Sequence, residues 1–233
     1  CTCVFTASLA CALPAELPKD LVWLTNDEDP EFAAPEAQRG GTFRTWMSSF
    51  PLTLRRVGPD SNGGFAGYLR YNQMSLVAWH PITRRPIPSL ASHWAFGHDG
   101  KTVYYRIDAA ARWSDGVPVT SADFEFTKDF MRSKFIVAPF YNDYYTTQIV
   151  DIRGYGDKIV GVEGANAKPP DELMYEYGIG VVPKHFYTLD ESGSESTTGR
   201  SSRIPGRIGS RRCVKASTSN SSASPTGGRT TAS

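Results

Sequence analysis

All 5 Trp, 11 Tyr and 12 Phe of this chain of 233 residues lie at or before Tyr187. Beyond that ring the sequence is mainly Ser, Thr, Gly and Arg. Such a segment has too little apolar surface to offset the entropy lost on ordering its backbone, so residues 192–233 are expected to be disordered. Whatever folds must be built before them. The material is there: the chain is 40% hydrophobic and 21% charged, the balance of a globular protein with a sizeable core.

The same boundary divides the charge. Arg200, Arg203, Arg207, Arg211, Arg212, Lys215 and Arg229 face the single acid Glu195, so the tail carries +6 of a chain whose net charge is +1, and the rest carries −5. A basic tail can bind phosphates. This one lacks the interleaved aromatic rings of single-strand readers, so no nucleic-acid partner is expected. Cysteines occur at 1, 3, 11 and 213 and nowhere in the long stretch between, which leaves no disulfide framework and no thiolate metal site there. No cofactor or metal is expected.

Residues 1–15, "CTCVFTASLACALPA", are small and apolar and end in Ala-x-Ala-like triplets. They read as the apolar region and cleavage site of a secretory signal peptide, the plainer alternative being a short buried strand. Export to the periplasm follows from the first reading. No other stretch is long and apolar enough to span a bilayer.

A polar, proline-bearing lead runs from Glu16 to Gln38. "RGGTFRTWMSSFPLTL" then predicts a strand after a Gly-Gly turn, with "GPDSNGG" (58–64) as a loop. "YLRYNQMSLVAW" reads as helix running into strand. In "SHWAFGHDGKTVYYRID", Asp99-Gly100 joins two strands, and the alternation of Val103, Tyr105 and Ile107 turns one face inward. Trp113 ends a strand before a turn at Ser114-Asp115-Gly116. Thr120 then caps a helix, with Asp123 completing a short capping box and Phe126 and Phe130 on its packing face. "APFYNDYYTTQ" reads as a tyrosine-rich loop, "IVDIRGYGDKIVGVEG" as two strands around a Gly turn, and "DELMYEYG" as a short helix. "VVPKHFY" closes the folded part.

Catalytic signatures are missing. Ser61 has the wrong spacing for a nucleophile elbow and reads as a turn residue. "DGKT" at 99–102 has Ala95 where a phosphate loop needs Gly. His93 and His98 lack metal-ligand companions, and Asp115 before Gly116 is a turn aspartate. With no base, nucleophile and oxyanion site in one place, an enzyme is not expected. Tyr141, Asn142, Tyr144 and Tyr145 offer half-apolar, hydrogen-bonding side chains suited either to a ligand surface or to the core.

From Ser89 to Thr127 the residues run Leu-Ala-x-x-Trp, Asp-Gly-Lys, an aromatic strand, then Trp-Ser-Asp-Gly-x-Pro-x-Thr-x-x-Asp. This order resembles the bacterial extracellular solute-binding proteins of family 5, the dipeptide and oligopeptide receptors of ABC importers. "LPKDLVWLTNDEDP", "GGTFRTW", "MRSKFIVAPFYNDYYT" and "VPKHFY" are similar to its Yej-type oligopeptide branch, and the resemblance covers about 17–191. It implies a mixed α/β (α+β) periplasmic binding protein type II-like fold, here the N-terminal part only: partial lobe one plus an inserted domain. The divisions are then 1–15 (signal-peptide remnant), 16–64 (lead and first lobe-one strand), 65–191 (inserted domain and return toward lobe one) and 192–233 (tail). It implies extended oligopeptides held between two lobes, a membrane permease as partner, and a monomer at full length. The cleft strand would be Phe43 to Phe50, so Trp46, Ser48, Ser49 and Phe50, with Asp60 and Ser61 of the next loop and Tyr141, Asn142 and Tyr144, are the candidate peptide contacts.

Two other classes stay open: a secreted hydrolase acting on peptides or glycans, and an interaction protein with a nucleic-acid-seeking tail. A shift of reading frame would explain why the resemblance stops at Glu191. Read back from Gly193, the genetic code permits a stretch containing Asn-Thr-Gly-Pro-Tyr, similar to the family's next motif. Stop codons in the alternative frame of the encoding DNA would refute this.

Overall fold

The computed structural model describes residues 16–38, 40, 42, 44–47, 49–53, 61, 67–68, 73–134, 136–189 and 195–197. Its centre is the expected hairpin of β3 (Ala91–Phe96) and β4 (Thr102–Ile107), which follows a smaller hairpin of β1 (Val77–Trp79) and β2 (Pro86–Pro88). Asp99 organises the β3–β4 turn: its Oδ1 accepts the Lys101 and Thr102 amides, each at 3.0 Å, and Gly100 takes a left-handed φ of 66°. β5 (Ile149–Gly154) and β6 (Ile159–Gly164) extend this pair into an antiparallel sheet of order β3-β4-β6-β5. β7 (Tyr187–Leu189) pairs separately with β8 (Glu195–Thr197).

Alternation decides which face is buried. Val103, Tyr105 and Ile107 of β4 point inward as expected, beside Val160 and Val162 of β6 and Ile149 and Ile152 of β5. That face is covered by α1 (Ser121–Arg132) and α3 (Pro170–Tyr177). α1 presents Phe124, Thr127, Phe130 and Met131 to the core at helical spacing, while Phe126 is only partly buried and stacks on Phe130 at 5.8 Å. Fully burying a side chain such as Phe124 stabilises by roughly 1.5–3 kcal/mol. α3 lays Tyr177 across β6, where a Cβ on Gly164 would come 1.9 Å from the Tyr177 hydroxyl oxygen. Only glycine leaves room for that ring.

Two sequence expectations change, and one segment that carried no assignment gains a place. Residues 42, 44–47, 49 and 50 form no strand, because a strand needs a neighbour to take up its ladder hydrogen bonds and none of the described segments pairs with them. The tyrosine-rich segment is helical rather than a loop: α2 (Pro139–Asp143) starts at a proline that presets φ, and a single π-helical turn (Tyr144–Gln148) continues it into β5. The lead is also built into the fold. Leu24 pairs with Trp94 of β3 through amide-to-carbonyl bonds of 2.8 and 3.0 Å, and the Arg106 guanidinium lies 4.4 Å over the Trp23 ring. The signal-peptide segment and residues 198–233 lie outside the described residues. Among those described, no helix is long and apolar enough to cross a membrane.

Candidate functional site

The run from Trp113 to Thr127 is the chain's most distinctive motif, and its polar side chains converge on one point. The turn at 114–116 is set by Gly116 at φ 91° and by Asp115 Oδ1, which accepts the Val117 amide at 3.1 Å. Asp123, buried in the first turn of α1, accepts the Thr120 amide at 2.9 Å and the Trp113 indole N–H at 3.4 Å on Oδ2. Its other oxygen accepts the Lys184 amide at 2.9 Å. One turn further on, the Thr127 hydroxyl donates to the Asp123 carbonyl (2.7 Å) and accepts the Val182 amide (3.0 Å).

Motif and return segment are thereby clasped together: α1 holds 182–184 by two backbone amides, of which that of Val182 would otherwise be buried without a partner. His185 closes the outside, with its Nε2 2.7 Å from Asp115 Oδ2 and its ring 6.1 Å from that of Trp113. Partial burial works against ionisation of Asp115. Hydrogen bonds from His185 and the Val117 amide outweigh it and hold the carboxyl below its ordinary range. This arrangement positions backbone.

The candidate contact residues fall into two groups. Trp46 and Phe50 are 79% and 96% exposed, Ser49 is exposed, and the Tyr68 hydroxyl donates to the Trp46 carbonyl at 3.1 Å. Ser61 is buried, while Ser48, Asp60 and Phe43 lie outside the described residues. Tyr141, Asn142 and Tyr144 are brought together on α2 and the π-helical turn, half-buried against the core. Asn142 is occupied at both ends, accepting the Ala138 amide at 3.1 Å and donating to the Met131 carbonyl at 2.6 Å. The Tyr144 hydroxyl donates to the Glu176 carbonyl, and burial, then the neighbouring Tyr145, raise its pKa. Tyr145 itself is buried in the core.

A feature missed in sequence is a groove of about 210 Å³ on the outer face of the sheet, lined by residues such as Lys101, Tyr104, Asp151, Arg153, Tyr155 and Glu163. Gly161 makes it possible, since a Cβ there would meet Tyr155 at 2.9 Å and Tyr104 at 3.2 Å. Burial, then Tyr155, push the Tyr104 phenol up to about 12. The charges pair internally, Lys101 with Glu163 (2.5 Å) and Asp151 with Lys128 (2.7 Å) and Arg153 (2.9 Å). The polar half of the β4 alternation was the available signal. Among the described residues, no cluster of His, Cys, Asp or Glu is placed to hold a metal ion.

Comparison with known proteins bears on what this scaffold belongs to. Over 62 residues the chain is 32% identical to the dipeptide-binding protein DppE of Bacillus subtilis (strain 168), a match covering 22% of this chain and 11% of that protein. The chain resembles the family-5 solute-binding proteins. Among solved structures, the Escherichia coli murein tripeptide binding protein MppA is similar with a TM-score of 0.48 and 17% identity, over 62% of this chain and 30% of that one. NikZ from Campylobacter jejuni, in complex with Ni(L-His), is similar with a TM-score of 0.46 and 16% identity, over 59% and 26%. The matched part is thus less than a third of each of these proteins. No family model matches the chain.

Proposed function

We propose that this chain is part of the substrate-binding component of a bacterial ABC transporter for oligopeptide uptake. The observation that carries the reading is the Ser89–Thr127 motif: its residues fold into the β3–β4 hairpin and the α1 clasp, and the likeness to a dipeptide-binding protein points the same way. Such a receptor does no chemistry. An extended peptide is held through its main chain between two lobes, binding shifts the open and closed populations, and the closed form docks on a membrane permease in the periplasm.

In this reading residues 65–191 form the inserted domain and the return toward lobe one. The exposed Trp46, Ser49 and Phe50 face the peptide, and Ser48, Asp60 and the buried Ser61 are its further proposed contacts. Tyr141, Asn142 and Tyr144 contribute ring faces, since the Asn142 amide and the Tyr144 hydroxyl are already engaged. The test is calorimetry with a mixed oligopeptide library on the chain extended to the length of its relatives. Saturable heat with the peptides left intact supports the proposal. New peptide termini without saturable binding would favour a secreted hydrolase instead.

A further inference from the structure

We infer that His80 is a pH-sensitive fastener that holds the strap at residues 23–32 against the β1–β2 hairpin. The ring is 2% exposed and both nitrogens are engaged. Nε2 lies 2.8 Å from the Pro30 carbonyl, which can only accept, so Nε2 carries the proton. Nδ1 accepts two backbone amides of the hairpin turn, Thr83 at 3.0 Å and Ile82 at 3.3 Å. A second ring proton at Nδ1 would point at two N–H donors. Neutral His80 therefore joins turn to strap, and a protonated ring breaks the turn side of that joint.

The surroundings give an added proton no compensation. Asp29, on the strap, is the facing carboxylate, and it already accepts Asn26 (2.7 Å), Thr83 Oγ1 (2.9 Å) and the Arg85 guanidinium. From the turn come two cations, Arg85 and Arg84, the latter held at φ 60°. Glu31, beside Pro30, is exposed, and the Phe32 ring meets the imidazole edge-on at 5.6 Å. The strap is also the element that covers the edge of β3 through Leu24 and Thr25. Loosening it uncovers that edge and frees the chain leading to the exposed residues 44–47, 49 and 50.

Hydrogen exchange on the full chain, corrected for the intrinsic pH dependence of exchange, tests this. Between pH 7 and pH 5 the amides of 23–32 should exchange on the order of tenfold faster while those of β4 and β6 do not change. His80→Asn keeps an acceptor near the Nδ1 position and cannot be protonated, so its strap should show no such step. A step shared equally by β4 and β6, no step at all, or a step that survives in His80→Asn overturns the inference. Independently, ring nitrogen NMR of the unaltered chain at pH 7 should place the His80 proton on Nε2 and leave Nδ1 bare. A proton on Nδ1 overturns the assignment even if the variant does not fold.

Discussion

Replacing Asp123 by Ala removes one side chain and four hydrogen bonds at once, one of them a long contact of 3.4 Å from the half-buried Thr120 hydroxyl that water can replace. The Thr120 amide loses its capping partner, which costs about 1 kcal/mol at a helix start. The Trp113 indole N–H, on a residue only 4% exposed, and the Lys184 amide lose their acceptor, each at about 1 kcal/mol or slightly more. Lys184 is itself exposed, so water can replace part of its bond, and the lower end of that range applies. The expected loss is about 3 kcal/mol, a roughly hundredfold fall in the folding equilibrium constant. Urea denaturation followed by tryptophan fluorescence measures the total. Hydrogen exchange at Val182 and Lys184 measures the clasp itself and should accelerate more than exchange in β4. Asp123→Asn, which keeps an acceptor oxygen, should lose no more than half as much. A loss below about 1 kcal/mol for Asp123→Ala, or undiminished protection at 182–184, would refute the reasoning.

Gly164→Ala should destabilise by about 1–3 kcal/mol, because the new methyl competes with the buried Tyr177 hydroxyl for the same space; an unchanged melting temperature would contradict this. Asp29 has an opposing burial effect that is outweighed by hydrogen bonds from Asn26, Arg85 and Thr83, which hold its carboxyl at about 2 against an ordinary 3.8. Its folded value is the lower one, so its contribution is complete above about pH 4 and is lost as pH falls toward 2. In a His80→Asn background, carboxyl-carbon NMR should place that loss below pH 3.8 in the parent and at higher pH in Arg85→Ala; equal values would sink the assignment. Trp46, Phe50 and Leu52, each at least 79% exposed, form an apolar run that should bind hydrophobic dyes. Changing Trp46 and Phe50 to Ser should lower the dye signal by about half, and an unaltered signal would place the patch elsewhere.

Local chemistry was legible wherever a residue acts on its near neighbours. Asp99-Gly100 makes a turn because the carboxylate reaches amides two and three residues on. Thr120 and Asp123 start a helix because their reach is one turn, and the alternation in β4 buries Val103, Tyr105 and Ile107 because the pleat has a period of two. The motif likewise carried the resemblance to the family-5 solute-binding proteins. The sequence alone did not show that Asp123 and Thr127 also grip amides 61 and 55 residues away, or that the lead at 16–38 is fastened to β3 and to the turn at 80–85. Nor did it show that residues 42, 44–47, 49 and 50 would form no strand among the described segments, or that the tyrosines at 141–145 would wind into helix with the Tyr144 hydroxyl engaged. Periodicity states which face of an element is apolar. Which partner covers that face, and whether a hydroxyl or carboxylate meets a distant amide, depends on contacts between segments far apart in the chain, and those exist only once the tertiary fold has brought them together.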